Sequence, residues 1–326
     1  MIQRRTLVTA AAASLAAPML RAQTLQTLPN GPIRIIVGFP PGGGTDILAR
    51  VLAPRLQDMW KTSVVVENKA GAAGVLAADF VAKQPADGNT LLMAHINSHA
   101  IAPALNPKLT YNPESDFAPI VLVGVTPNLL ICNQDQPAKT LKDLVALCRA
   151  KPGHVTFGSS GPASAQHLAL ELFKFQAKVF ALHIPYRGSG PLITDLIGGQ
   201  VMYSFETMTA ATPHVKGGRV VAVAQTRPQR SKAYPNVPTV AEEGFPGFDA
   251  TTWYGLAAPG KVAPGIVKRM NEDVNRVLAM PEVIERLAAS GAEDSGGSPE
   301  RFAEFMRSER SKYTQLVKDA AIKIDS

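Results

Sequence analysis

The chain has 326 residues, 46% hydrophobic and 18% charged, a balance that excludes a disordered or collagen-like protein and allows one large domain or two ordinary ones. Its formal charge of +7 comes from scattered Lys and Arg, with no basic run and little aromatic interleaving, which argues against a nucleic-acid surface. A modest positive field suits an anionic small ligand and equally serves solubility.

Residues 1–22 read as an export signal: a basic head at Arg4 and Arg5, an apolar stretch from Leu7 to Leu20, and a cleavage point after Ala22. The apolar stretch is shorter than the ~20 residues that span a bilayer, and no other segment is long and apolar enough to cross one. The arginine pair before Thr6 and Leu7 fits either a general secretory or a twin-arginine signal. Removing the signal takes away Arg4, Arg5 and Arg21 and no acid, leaving 30 basic against 26 acidic side chains.

Strand-like apolar runs then alternate with amphipathic helical runs: "IRIIV" and a helix over 46–57, "SVVVEN" and 72–83, "TLLMA" and 96–105. This alternation predicts an α/β fold with parallel sheets covered by helices. A second block opens with "APIVLVGVTPNLLICN", two β-rich runs flanking Gly124 and Pro127. A helix over 140–150 follows, opened by Thr140 and Asp143 as a capping box. Next come "HVTFGSS", a helix over 164–177, "VFALHIPY", a helix over 189–198, "QVMYSFE" and "VVAVAQ". The stretch from "NVPTVAEEGFPGF" to "TWYGLAAPGKVAP" is dense in Pro and Gly and reads as loops and a crossing point. Helices are predicted over 264–279, 281–290 and from about 299, where Ser298 is the N-cap and Pro299 the first helical residue. Cys132 and Cys148 match no metal spacing and are either a disulfide or two buried thiols.

Three strand-to-helix turns carry the chemistry. In "GFPPGGGTD", Gly42, Gly43 and Gly44 let a ligand approach the backbone N–H groups, and the helix start favours an anion. A P-loop needs Lys and then Ser or Thr, where Thr45 and Asp46 stand, and the G-x-G-x-x-G fingerprint fails at Ile47. Asp46 would repel a multiply charged phosphate, so a carboxylate held by backbone donors fits better; alternatively Asp46 only complements the helix dipole and pairs with Arg50. In "AHINSHAIAP", His95 and His99 lack the glutamate and third ligand of a zinc site, leaving Asn97 and Ser98 as ligand donors or helix caps. In "FGSSGPASAQHLALELF", Ser159, Ser160 and Ser164 lie at a helix start, and Pro162 breaks the G-x-S-x-G elbow of a serine hydrolase. His167 reads as a packed core histidine, and the next turn offers Tyr186 and Arg187, the latter the best charge partner for an anion.

The stretches "FPPGGGTDILARVLA", "VVVENKAGAAGVLAADFVAKQPADGNTLL", "YNPESDFAPI", "GSSGPASAQHLALELF", "IPYRGSGPLITDLIGGQVMYSFE" and "NVPTVAEEGFPGF…WYGLAAP" resemble the Bug family, solute-binding proteins of tripartite tricarboxylate transporters. The resemblance covers essentially the whole chain after the signal. It implies a two-lobed periplasmic-binding-protein fold of type II, the flytrap, each lobe a mostly parallel sheet covered by helices. Lobe 1 would comprise 30–132 and about 250–296, and lobe 2 would comprise 133–249 and a C-terminal helix over about 297–326, packed back across the lobes. Hinges are expected near 131–134 and 248–254.

It further implies a periplasmic, non-catalytic monomer without cofactor or metal that closes on a small carboxylate and delivers it to membrane permease subunits. The ligand would be a di- or tricarboxylate, an acidic amino acid or an aromatic acid. By the resemblance, the turn of Phe39, Pro40, Gly43, Gly44, Thr45 and Asp46 grips one carboxylate, partly through ordered waters. Ser159, Ser160, Gly161 and Ser164, with Tyr186, Arg187 and Gly188, complete the pocket, and Glu206 faces it where Asp is often found. Asn89 replaces an aromatic of the usual pattern, and Ala163 stands where Gly is frequent, which narrows the backbone freedom of the second-lobe clamp.

Overall fold

The computed structural model describes residues 28–319, so the expected export signal over 1–22 lies outside the described residues. Strand β1 (Ile33–Val37) alternates its side chains between two cores: Ile33, Ile35 and Val37 point to one and Ile36 to the other. Helix α1 (Gly44–Trp60), β2 (Val64–Asn68), α2 (Val75–Ala82) and β3 (Thr90–His95) follow, with a short 3-10 turn at Ala72–Gly74 before α2. The segment expected as one helix over 96–105 is divided into a π-helical turn at Asn97–Ile101 and α3 (Ala102–Leu105). Pro103 has no N–H to bond back along a regular α-helix, which accounts for the change of winding.

The expected pair of runs around Gly124 and Pro127 is a single buried strand, β4 (Phe117–Asn133), whose register shifts near Pro119 and Leu122. Gly124 is needed here: the Ala292 Cβ lies 3.0 Å from where its side chain would begin. The neighbouring Val125 exchanges both backbone hydrogen bonds with Glu293.

The second block contains α4 (Leu141–Ala150), β5 (Thr156–Ser159), α5 (Ala165–Ala177), β6 (Leu182–Pro185), α6 (Ser189–Ile197) and β7 (Tyr203–Thr207). The Thr140 hydroxyl caps α4 by accepting from the Asp143 N–H at 3.2 Å. Helix α7 (Met208–Lys216), which the sequence reading left unassigned, leads to β8 (Val220–Gln225). The stretch read as loops contains β9 (Thr251–Pro259), buried along its whole length. Helices α8 (Pro264–Leu278), α9 (Pro281–Ala289) and α10 (Pro299–Asp319) close the chain.

The strands of the first lobe run in the order β2, β1, β3, β9, β4, and those of the second β8, β4, β7, β5, β6. Each sheet is mixed rather than mostly parallel. β1 is parallel to β2 and β3, and β5 to β6 and β7, but β9 is antiparallel to β3 and β4, and β4 to β7 and β8. The antiparallel pairings all involve β4 or β9, by which the chain enters and leaves the second lobe.

The change of partner falls at Pro127, the last residue paired with β9, and Asn128, the first paired with β7, a few residues before the expected 131–134. Asn128 ties the crossing together, donating from its backbone N–H to Thr226 Oγ1 at 2.9 Å and from Nδ2 to the Ala250 carbonyl at 2.7 Å.

Helix α10, expected with lobe 2, packs chiefly on lobe 1. Its Phe302, Met306 and Tyr313 join the core that holds Ile36 and Trp253, and the Phe302 ring fills the space a side chain at Gly255 of β9 would need. Leu316 alone reaches the second-lobe core as well.

Candidate functional site

The turn between β1 and α1 is folded by Asp46. Its Oδ2 accepts from the Gly42 N–H at 3.0 Å, and its Oδ1 accepts from Arg50 Nε and Asn68 Nδ2, both at 2.9 Å. Asn68 also donates to the Phe39 carbonyl at 2.9 Å, so one acid and one amide fix both limbs of the turn. Burial alone would raise the Asp46 pKa, but the hydrogen bonds from Arg50, Gly42 and Asn68 hold it below the usual carboxylate value. The carboxylate is thus engaged within the protein, and of the two readings of Asp46 the geometry favours the one that pairs it with Arg50.

In the second lobe, the Ser164 hydroxyl caps α5 by accepting from the His167 N–H at 3.2 Å. Ser159 is fully buried, with Oγ 2.6 Å from His183 Nε2 and 3.0 Å from the Gly161 carbonyl. The Ser160 hydroxyl donates to Gln166 Oε1 at 2.8 Å. His167 stacks on His183 with ring centroids 3.8 Å apart, and its Nδ1 accepts from the Ala163 N–H. Burial, then the neighbouring His167, push the His183 pKa down to about 4. Ser159 meets His183 but is fully buried, and the Ser160 and Ser164 hydroxyls are bonded to Gln166 and the His167 N–H, so none of the three forms an exposed serine–histidine–acid arrangement.

A cavity of about 680 Å³ lies between the lobes. Phe39 and Pro40 line it from the first turn, Ser160, Gly161 and Ala163 from the second, and Tyr186, Arg187 and Gly188 from the third. The turns of the two lobes touch: a side chain at Gly188 would begin 2.6 Å from Pro40 Cδ, and one at Gly43 3.8 Å from Ser189 Oγ. The Phe39 ring is held edge-on by His95, centroids 5.0 Å apart. The Tyr186 hydroxyl is turned aside to Asp195 Oδ2 at 3.0 Å.

Sequence reasoning missed one wall, formed by Gly71, Ala72 and Ala73 after β2 and by Ala102, Leu105 and Leu109 around α3. Its signal was the "AGAAG" turn, which occupies the same strand-to-helix position as the glycine-rich turn before α1. Ala72 and Ala73 both adopt left-handed backbone, φ 46° and 51°.

The other candidates lie behind the cavity walls. Gly44 packs against Tyr254 and Thr207, and Thr45 is buried in the first turn of α1. Asn97 Oδ1 accepts from the Ala165 N–H at 2.9 Å, tying the π turn to the start of α5, and Ser98 Oγ lies 3.1 Å from the His95 carbonyl and 2.9 Å from His99 Nδ1 within the turn, so neither lines the cavity. Glu206 is wholly buried, its Oε1 accepting from Gln166 Nε2 at 3.0 Å, Ser189 Oγ at 2.9 Å and the Thr207 N–H at 2.7 Å. It therefore stands behind two second-lobe turns and joins them, and burial raises its pKa despite these bonds. His95 and His99 are buried, and burial lowers both to about 3. Among the described residues no group of three His, Cys, Asp or Glu is placed to hold a metal ion.

Comparison with known proteins agrees with this architecture. The sequence pattern of the tripartite tricarboxylate transporter family receptor matches residues 48–322. Protein BugT of Bordetella pertussis is 38% identical over 315 residues, covering 96% of this chain and 95% of its own length. A Rhodopseudomonas palustris protein solved with adipate superposes with a TM-score of 0.88 at 32% identity, covering 90% of this chain and 99% of its own. MatC of the same organism, solved with bound malate, gives a TM-score of 0.84 at 32% identity, covering 89% of this chain and 100% of its own. A flytrap of two mixed α/β lobes, a cavity where their turns meet and a match across nearly the whole described chain together make this protein a member of the tripartite tricarboxylate transporter receptor family, the Bug solute-binding proteins.

Proposed function

We propose that this protein is exported to the periplasm, captures a small carboxylate between its lobes as a monomer, and delivers it to the permease subunits of a tripartite tricarboxylate transporter. The observation that carries this reading is the cavity between the lobes, built from strand-to-helix turns of both and lined by Arg187. The adipate and malate of the two solved relatives support a carboxylate as cargo. Phe39 and Pro40 would offer the first surface, and Ser160, Gly161, Tyr186, Arg187 and Gly188 would add contacts that exist only when the lobes meet. Such differential contact is what shifts a two-state population toward closure. The lobes would reorient about Pro127–Asn128, where the partner of β4 changes, and about Ala250–Thr251, where β9 begins. No chemical step is needed.

A thermal-shift screen of mono-, di- and tricarboxylates and amino acids tests the reading. Ligand at ~100 Kd should stabilise the protein by about 2.7 kcal/mol. A flat melting temperature across every carboxylate would overturn the assignment.

A further inference from the structure

The cavity wall carries little charge. Among the described residues, no aspartate, glutamate, lysine or histidine lines it, and Arg187 is its one charged side chain. Two further polar groups are already engaged: the Ser160 hydroxyl donates to Gln166, and the Tyr186 hydroxyl to Asp195, so Tyr186 presents ring rather than hydroxyl. Opposite them the first-lobe wall is mostly hydrocarbon, with Phe39, Pro40, Val75, Ala102, Leu105 and Leu109, and among the described residues Asn106 is its one polar side chain. Phe39 is fixed in place, between the His95 ring and the backbone of Gly74.

We infer that the cargo is a monocarboxylate with an apolar body, its single charge at Arg187 and its ring or chain against the Phe39–Leu105 wall. The inference rests on the solute-binding reading above and narrows it. A second or third carboxylate would enter this space with no second cation to replace its hydration, and an amino acid's ammonium would find no carboxylate to accept from it. Apolar carbon, by contrast, gains roughly fourfold in affinity for each methylene removed from water. The volume of about 680 Å³ lies within the range of sites that enclose a ring or a medium-length chain.

Calorimetric titration of the purified protein with 4-isopropylbenzoate, octanoate, malate, citrate and glutamate tests this. At least one of the first two should bind about tenfold or more tightly than each of the last three; which one it is separates a ring from a chain. If malate, citrate or glutamate matches or exceeds both apolar acids, the inference falls while solute binding stands. If none of the five binds, both readings fall. Two variants probe the assigned ends. Arg187→Gln, at an exposed position, should weaken the apolar acids about tenfold. Leu105→Asn should weaken them roughly fivefold, and unchanged affinity in both variants would contradict the placement.

Discussion

Asp46 and Asn68 meet at 2.9 Å, and through that bond the β1–α1 turn is fastened to the end of β2. Asp46→Asn should therefore act on stability. Replacing the charged acceptor weakens three hydrogen bonds and should cost about 2 kcal/mol at pH 7. The folded pKa lies below the ordinary aspartate value of 3.8, so the stabilisation is complete above that pH and is lost as pH falls through the lower, folded value. Urea unfolding at pH 7 and at about pH 3 measures it: the gap between wild type and variant should narrow in acid, and a gap independent of pH would contradict the role.

Glu206 has the opposite sign. Its folded pKa is raised above 4.5 by burial, so its contribution is most favourable below that pH and is lost as pH rises through the folded value. Glu206→Gln keeps an oxygen to accept from Gln166, Ser189 and Thr207 while removing the charge. The variant should equal or exceed the wild type in stability at pH 8 and lose any advantage near pH 4. Chemical denaturation at the two pH values decides it, and a variant less stable at pH 8 than at pH 4 relative to wild type would refute the account.

Ala163 holds φ 60°, the left-handed region that a Cβ disfavours by about 1 kcal/mol or more. Ala163→Gly should raise stability by roughly 0.5 kcal/mol, the relief of strain being partly offset by the greater freedom of unfolded glycine. Ala163→Val should lower it by more than about 1 kcal/mol. Thermal unfolding of the pair reads out both signs.

Gly188 combines φ 118° with the close approach of Pro40, so Gly188→Ala forces the turns apart. Carboxylate affinity should fall about tenfold, and small-angle scattering should show a more extended particle. A fully retained affinity with unchanged scattering would mean that the Pro40–Gly188 contact is not part of closure.

Burial pushes the Cys132 and Cys148 thiols up to about 11, and both are free. In the native protein at pH 8 both should resist a thiol-reactive dye and react together on unfolding in denaturant. Rapid labelling of the folded protein would show that the second-lobe core opens locally.

The sequence was most legible where one local rule decides the structure. The apolar run "IRIIV" marked β1, and Thr140 with Asp143 marked the start of α4. β9 escaped notice because "TTWYGLAAP" is buried on both faces and so shows no alternation, while Pro and Gly crowd its ends. At the site, the positions of the turns were readable but side-chain direction was not. Phe39, Arg187 and Gly188 face the cavity, whereas Asp46, Asn97 and Ser98 bond inward, a choice fixed by partners as distant in sequence as Ala165. The Gly71–Ala73 wall was missed because its contribution is backbone shape.

One passage between the lobes is made within a hydrogen-bonded strand, β4, and the other at Ala250 just before β9, where the Ala250 N–H donates to the Thr226 carbonyl and its carbonyl accepts from Asn128 Nδ2. Bending there cannot be concentrated at one free dihedral without breaking ladder bonds that Asn128 reinforces. On the solute-binding reading, lobe motion would instead be a twist shared by the two crossings, which would act as a torsion spring with a single stiffness. Cargo affinity would then be set by spring and pocket together, so changes at the crossings should retune affinity for every ligand alike, without touching the residues that choose among them.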